Sequence, residues 1–306
     1  WAGAPISFMG FRQDIGSAPT GASGMIGTLQ ILWSVLEKAL EASFLVPFLY
    51  MLRAAPVPSV TEDDPVAIRR YAAGTTLLHV TWLSMALQIG LFCARTCLVA
   101  GRKRLFLLGG LHEKTTYPLR SWAFFRRWAV DNLMDSLAVH TKQLRGTLYL
   151  PLWYQLMGAS IGHHAEISAF ENVCAERLIL GDQVFVADDV MLGMPNVDNG
   201  VVTQQSVFIG DRTFVGNNSV VEGGTHLPQD VLVGVLTLPP SQGATMAPGE
   251  TLLGCPPFRV QKRAELSRHA RSTYTPPSWM VAVRYVVEGV GFLLLQLSMA
   301  SCFALL

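Results

Sequence analysis

Charge is what this sequence has least of: Asp, Glu, Lys and Arg make up 15% of the 306 residues, and the formal net charge is +1. A balance so near zero supplies no basic stripe to hold a phosphate backbone, so nucleic acid is not an expected partner. Cysteine is also sparse. Cys93, Cys97, Cys174, Cys255 and Cys302 form neither a CxxC pair nor a Cys/His cluster at zinc spacing, so no disulfide framework and no metal centre is expected. No signal peptide is identifiable in WAGAPISFMGFRQDIGSAPTGASG, whose composition is that of a Gly/Ser/Pro/Ala linker. The chain opens on Trp1 rather than Met and closes inside an apolar stretch, so it reads as a segment of something longer, with other domains expected ahead of the linker.

Half of the residues are hydrophobic, and long apolar runs explain the excess. No Asp, Glu, Lys or Arg falls between Ala72 and Ala94, enough helix to cross a bilayer core of about 30 Å. A second such stretch runs from Gly289 to Leu306, with Trp279 and Tyr285 ahead of it as interfacial anchors. The third, Met25 to Leu52, carries Glu37, Lys38 and Glu41 at its centre and Pro47 beyond them. It is either a span with a bundle-facing polar patch or an amphipathic helix lying at the interface. Arg102, Lys103 and Arg104 follow the Ala72 to Ala94 span, and Arg259, Lys262, Arg263, Arg268 and Arg271 precede the last one. Arg53, Arg69 and Arg70 on the opposite side are offset by Glu62, Asp63 and Asp64. The positive-inside bias therefore places the region between those spans on the cytoplasmic side of a multi-pass membrane protein.

That region repeats in sixes. Leu180, Val186 and Leu192 share one register, and Ile209, Val215, Val221, Leu227 and Val233 share another. The next residue is small at most positions (Gly181, Ala187, Gly193, Gly210, Gly216, Gly234), and Val184, Val190, Thr213, Ser219, Thr225 and Val231 sit two before. This pattern specifies a parallel β-helix of three-sided coils, with the counted aliphatic pointing inward and the small residue at a crowded corner. A β-sandwich would need period two. An earlier run, Ile161, Ile167 and Val173, is out of step by one residue inserted near Glu176. The excess between Leu192 and Ile209 falls in MPNVDNGVVTQQ, Met194 to Gln205, a polar stretch expected to leave the coil as an extruded loop.

Ahead of the repeats, Trp122, Phe125, Ala129, Leu133 and Leu137 recur at helical spacing, with Arg126, Arg127, Asp131 and Asp135 away from that stripe. Such a helix either lies at the membrane surface beside the prism or caps the open end of the β-helix. The expected organisation is a linker over 1–24, a transmembrane hairpin over 25–104 and an amphipathic or interfacial helical segment over 105–148. The β-helix follows over 149–260, then a basic linker over 261–278 and a transmembrane helix, cut short, over 279–306. The fold class is mixed: a left-handed parallel β-helix of hexapeptide repeats, about 4 coils, inserted between transmembrane α-helices.

The order of hydrophobic hairpin, LYLPLWYQLMGASIG, the coils LGDQVFVADDVMLG and IGDRTFVGNNSVVEGGT, then VGVLTLPP, PGETLLGCPPFRV and a further span carries a resemblance. Over nearly the whole chain it resembles the membrane-bound C-terminal region of poly-ε-lysine-synthetase-like nonribosomal peptide synthetases, within the hexapeptide-repeat acyltransferase superfamily. The resemblance implies an adenylation and a phosphopantetheinyl carrier domain earlier in the same chain, further β-helix repeats, and amide-bond formation from carrier-bound aminoacyl units. It implies a phosphopantetheine arm, or coenzyme A, as the acyl carrier and membrane lipid as a partner. Leu253, Gly254, Pro256 and Pro257 resemble the Gly-x-Pro-Ala segment that borders the pantetheine arm in soluble relatives, with Pro257 in place of Ala.

Acyl transfer from a thioester to an amine needs a base for the amine proton and a donor for the developing oxyanion. Relatives place a His in the extruded loop, but Met194 to Gln205 holds none. His226, next to the counted Leu227, is the first candidate base, followed by His163 and His164 on the first coil. A surface His is otherwise a solvated turn residue. Asn196 and Asp198 of the loop are candidates for acyl or pantetheine binding, and Asp188 and Asp189 for the substrate amine; the bland reading of the Asp pair is turn capping. A metal site of the β-helical carbonic anhydrase kind fails because three separated His ligands cannot be assigned. A nucleotidyltransferase is disfavoured, since no Gly-rich nucleotide-binding βα unit precedes the coils. Two functions remain: an acyltransferase or condensation-type module, and a noncatalytic scaffold and anchor for neighbouring modules.

Overall fold

The computed structural model describes residues 20–43, 65–106, 114–137, 141–171, 174–240, 246–260, 274 and 276–305. Between residues 160 and 253, the described residues form a three-sided prism of short parallel strands. On the first face, Ser160–Ile161, Leu178–Leu180, Val207–Ile209 and His226–Leu227 pair in that order. The second face carries Glu166–Ile167, Phe185–Val186, Phe214–Val215, Leu232–Val233 and Thr251–Leu253. The third carries Phe170–Glu171, Val190–Met194 and Val220–Glu222.

The six-residue register decides what fills the interior. Ile161, Leu180, Ile209 and Leu227 align along one face, Ile167, Val186, Val215, Val233 and Leu252 along the next, and Leu192 meets Val221 on the third. All are buried, as are Val184, Val190, Thr213, Ser219, Thr225 and Val231 two residues ahead. Each large aliphatic removed from water in this way contributes roughly 1.5–3 kcal/mol. Two hydroxyls inside the wall bond to backbone of the next coil: Thr213 donates to the Pro228 carbonyl at 2.9 Å and Ser219 to that of Gly234 at 2.7 Å. Val173, the third member of the first run, lies outside the described residues.

The corner glycines answer to crowding between stacked turns. A Cβ on Gly181 would stand 2.8 Å from the Asp211 nitrogen, and one on Gly210 would stand 2.7 Å from that of Gln229. The left-handed conformation falls instead two residues later, on His164, Gln183, Arg212 and Asp230.

Both ends of the prism are closed. At the start, a short 3₁₀ turn, Lys142–Leu144, and the helix Tyr149–Leu156 send Leu144, Leu150, Trp153 and Met157 into the core. At the far end, Met246 packs on the core, and Phe258–Arg259 turns back antiparallel on Leu252–Leu253.

Among the described residues, four further helices surround this body. We label them in chain order with the end cap: α1 (Thr20–Ser43), α2 (Pro65–Phe106), α3 (Trp122–Ser136), α4 (Tyr149–Leu156) and α5 (Ser278–Leu305). Helix α1 starts at Thr20, ahead of Met25. Pro47, residues 57–64 and most of the basic stretch 261–278 lie outside the described residues. Helix α2 has 42 residues, about 63 Å at the usual rise. Thr81–Leu105 of α2 and Ser278–Ser298 of α5 are each long and apolar enough to cross a membrane. The two helices meet at Phe92 and Phe292, whose ring centroids are 6.4 Å apart. Helix α3 buries Phe125, Ala129 and Leu133, and Leu137 follows them, but Trp122 at the head of that stripe is exposed. Leu133 and Leu137 belong to the same core as Ile167 and Val186, so α3 packs on the prism, while the end cap is α4.

Candidate functional site

The edge between the third and first faces is where the repeat breaks its period, and it gathers the polar chemistry. On the first coil the extra residue becomes a 3₁₀ turn, Ala175–Arg177. That turn presents Glu176 to Lys103 of α2, 2.6 Å away, and to Arg127 of α3. Lys103 also donates to the Met157 carbonyl at 2.7 Å, and Arg127 Nε to Asp131 at 3.2 Å. All three charged side chains of the Lys103, Arg127 and Glu176 group are buried. Arg127 therefore does not stay with the solvated face of its helix, because a buried carboxylate receives it. Burial alone would raise the Glu176 carboxyl, but the adjacent Arg127 and Lys103 charges hold it below the ordinary carboxylate range. Beside them Gln204 Nε2 donates to Cys174 Sγ at 3.1 Å and Arg177 to the Thr115 hydroxyl at 2.5 Å. Burial pushes the Cys174 thiol up to about 12, so it is a packed side chain rather than a nucleophile.

On the second coil the expected extruded loop is a β-hairpin, Asn196–Asp198 against Val201–Gln205, turning on Asn199 and Gly200 with φ of 47° and 76°. Its second strand pairs antiparallel with Lys114–Pro118, which precedes the prism, from Lys114↔Gln205 to Pro118↔Val201. The Leu119 nitrogen donates to the Gly200 carbonyl at 2.7 Å. The segment is thus fixed on both sides. Asn199-Gly200 ahead of Val201-Val202 is a short-range hairpin signal inside the stretch expected as a loop.

On the third coil, Glu222 to Thr225 turns directly above the hairpin base, with the Gly224 nitrogen donating to the Ser206 carbonyl at 3.0 Å. His226 follows at once. Its side chain points outward, exposed, and its ring lies 4.4 Å from that of Phe208, its ladder partner. Gln205 packs against the Gly223–Gly224 turn just before it. Neither Gln205 nor Phe208 stands out in the sequence, since their proximity to His226 depends on coil stacking.

The remaining candidates occupy other edges. His163 and His164 form the exposed turn between the first and second faces on the first coil, where the His163 nitrogen donates to Asp182 at 2.7 Å. Asp188 and Asp189 turn between the second and third faces, and Asp188 accepts from the Ser168 hydroxyl at 2.5 Å. Leu253, Gly254, Pro256 and Pro257 close the same edge at the far end of the prism: the Gly254 nitrogen donates to the Thr237 hydroxyl at 3.0 Å, and Thr237 bonds back to Val220. The hairpin residues Asn196 and Asp198 and the candidate base His226 therefore share one edge, and the pantetheine-like segment stands across the third face from them.

Over 183 residues, 60% of the chain, the sequence is 31% identical to a Delta-poly-L-ornithine synthetase from Acinetobacter baumannii. The chain is similar to a poly-amino-acid synthetase. It spans 14% of that relative's length. Among solved structures, a maltose O-acetyltransferase from Clostridium difficile 630 matches over 57% of this chain and 89% of its own, with 15% identity and a TM-score of 0.31. A serine acetyltransferase from Neisseria gonorrhoeae matches over 79% and 94%, with 14% identity and a TM-score of 0.30. No protein-family model matches the chain.

Proposed function

We propose that this chain is a membrane-associated acyl-transfer module of a poly-amino-acid-synthetase-like protein. It receives an aminoacyl or acyl group from a phosphopantetheine thioester on a carrier domain, with coenzyme A as the alternative carrier, and passes it to an amine. The observation that carries this reading is the 31% identity to a synthetase whose name denotes a polymer of ornithine, a product whose units must be joined by acyl transfer. Two apolar helices, Thr81–Leu105 and Ser278–Ser298, support the membrane association. Carrier and adenylation domains of the same longer chain, further β-helix repeats and lipid are the partners, and the prism faces the cytoplasm.

In the proposed step the amine attacks the thioester carbonyl, the C–N bond forms, the C–S bond breaks, and the thiol leaves on the pantetheine. His226 takes the amine proton and passes it to the departing sulfur, being outward, exposed and beside the hairpin. Asn196 and Asp198 contact the acyl group. Leu253, Gly254, Pro256 and Pro257 border the arm as it crosses the third face, and Asp188 and Asp189 hold the ammonium of an aminoacyl substrate. His163 and His164 are the second choice for the base. The test is His226→Phe, which keeps ring contact with Phe208 while removing the proton acceptor. Turnover should fall by about 10² to 10⁴ fold with carrier docking unchanged. Turnover equal to the parent removes His226 from the mechanism.

One observation favours a second reading, a noncatalytic scaffold and anchor. The hairpin that replaces the expected loop contains no His and is bound along its length by Lys114–Pro118. On that reading neither His226→Phe nor replacement of both His163 and His164 alters product formation, while deletion of the helices does.

A further inference from the structure

Helix α5 does not leave the prism at its first turn. Arg284 pairs with Glu166 on the first coil, at 2.5 Å, and with Glu288 at 2.7 Å. Glu288 in turn accepts from the Leu148 nitrogen at 2.7 Å, and the Tyr149 hydroxyl donates to the Tyr285 carbonyl at 2.9 Å. Farther along, Gln296 donates to Gln143 at 2.5 Å. Arg284, Glu288 and Gln296 of this apolar helix thus face the first coil and the end cap of the prism, from Glu166 and Leu148 to Gln143. Between Arg284 and Gln296 the helix advances about 18 Å, more than half the thickness of a bilayer core.

The opposite side of the same stretch is apolar and uncovered: Val283, Val286, Val287, Val290 and Leu294 are all exposed. If that side is immersed in lipid with α5 close to the membrane normal, the cap beside it sits at about the same depth. The composition of the cap fits such a place. Residues 146–162 include no charged side chain. Two of the cap's leucines, Leu152 and Leu156, lie one turn apart on α4 and are exposed rather than packed. Just before the uncharged stretch stand Lys142 and Arg145, both exposed, complementary in charge to anionic headgroups.

We infer that the α4 cap is itself a lipid-contacting foot, so that the β-helix rests on the bilayer with Leu152 and Leu156 at the acyl boundary rather than standing clear of it on its helices. The inference rests on the membrane association proposed above. It also sets a height for the chemistry. His226 lies three strands along the first face from Ser160, about 14 Å above the foot at the usual strand spacing. A carrier domain would therefore work close to the membrane surface.

The test uses the full chain in vesicles of phosphatidylcholine and phosphatidylglycerol, with Cys93, Cys97, Cys255 and Cys302 replaced by serine. An environment-sensitive fluorophore is placed in turn at Leu152→Cys, Leu156→Cys, Val287→Cys on α5 and Val235→Cys on the last coil, all exposed positions. Lipids bearing a nitroxide just below the headgroups should quench the labels at 152, 156 and 287 to a similar extent and leave 235 bright. Quenching at 287 without quenching at either 152 or 156 overturns the foot and leaves the α5 span intact. No quenching at any of the four rejects membrane association itself, and the foot with it. Each leucine is an independent probe, so failure of one variant to fold leaves the other to decide.

Discussion

The prism interior and the seam that joins it to the helices are held by opposite means. Inside the prism, Ile167, Val186, Val215 and Val233 stack without a charge among them. At the seam, Lys103, Arg127 and Glu176 are equally removed from solvent, yet all are charged. Aliphatic burial is nondirectional and scales with area, so it favours any arrangement that keeps the register. Buried charges lose their hydration and are compensated by pairing only in one geometry, so they add little net stability but penalise every wrong orientation of α2 and α3 against the coils. The contrast teaches that stacking determines how tall the prism grows, while the seam determines how it is set on its helices.

The sharpest way to break the first half of that comparison is Val215→Asp. Val215 lies between Val186 and Val233 and is wholly buried, so a carboxylate there should destabilise by upward of about 4 kcal/mol. Denaturant unfolding of the purified chain checks this. Unfolding like that of the parent would show that the six-residue register does not carry the fold.

Next in size is the seam. Lys103→Met leaves Glu176 buried against one cation instead of two and should cost about 3 to 5 kcal/mol, whereas Lys103→Met, Arg127→Met and Glu176→Leu together should recover most of that loss. A triple variant as weak as the single one would mean the seam stabilises in the ordinary way and does not merely orient. Acid separates the regions independently. The folded Glu176 carboxyl titrates below its unfolded value, so its contribution is complete above the ordinary glutamate range, near 4.3, and is lost as the pH falls through the depressed folded value. The parent should therefore lose stability on acidification faster than the triple variant, in which the prism core alone remains. Parallel pH profiles would count against the pairing.

The two regions also differ in how far they can be read from the residues alone. The period of six identifies the inward stack at Leu180, Val186, Ile209, Val215 and Val233 because that pattern is local, repeating within each short strand. The inserted residue near Glu176 is visible as a slip in the count. What it does is not, since its partners lie at Lys103 and Arg127, and only coil stacking brings those three together. The same applies to the candidate site. His226 stands out by its offset from Leu227, but its ladder partner Phe208, and the Gln205 that packs on the turn before it, come from the coil below. The pairing of Lys114–Pro118 with Val201–Gln205 joins segments so far apart that no spacing rule connects them.

The smallest expected effect probes the boundary between the two regions, the hairpin that leans from the prism toward the seam. Asn199 holds a left-handed conformation, φ 47°, that Asn tolerates and Ala resists. Asn199→Ala should cost the hairpin about 1 kcal/mol while leaving the stacked core untouched. That loss should be felt at Cys174, which Gln204 of the same hairpin covers. A fall of this size multiplies the open fraction about fivefold, so Cys174 should react with an alkylating reagent about five times faster in the variant, with global unfolding unchanged. Cys255, exposed at the far end of the prism, serves as the internal reference. An unchanged Cys174 rate would mean that Lys114–Pro118 and the seam, not the turn, keep the hairpin closed. The hairpin would then belong with the charged seam rather than with the prism.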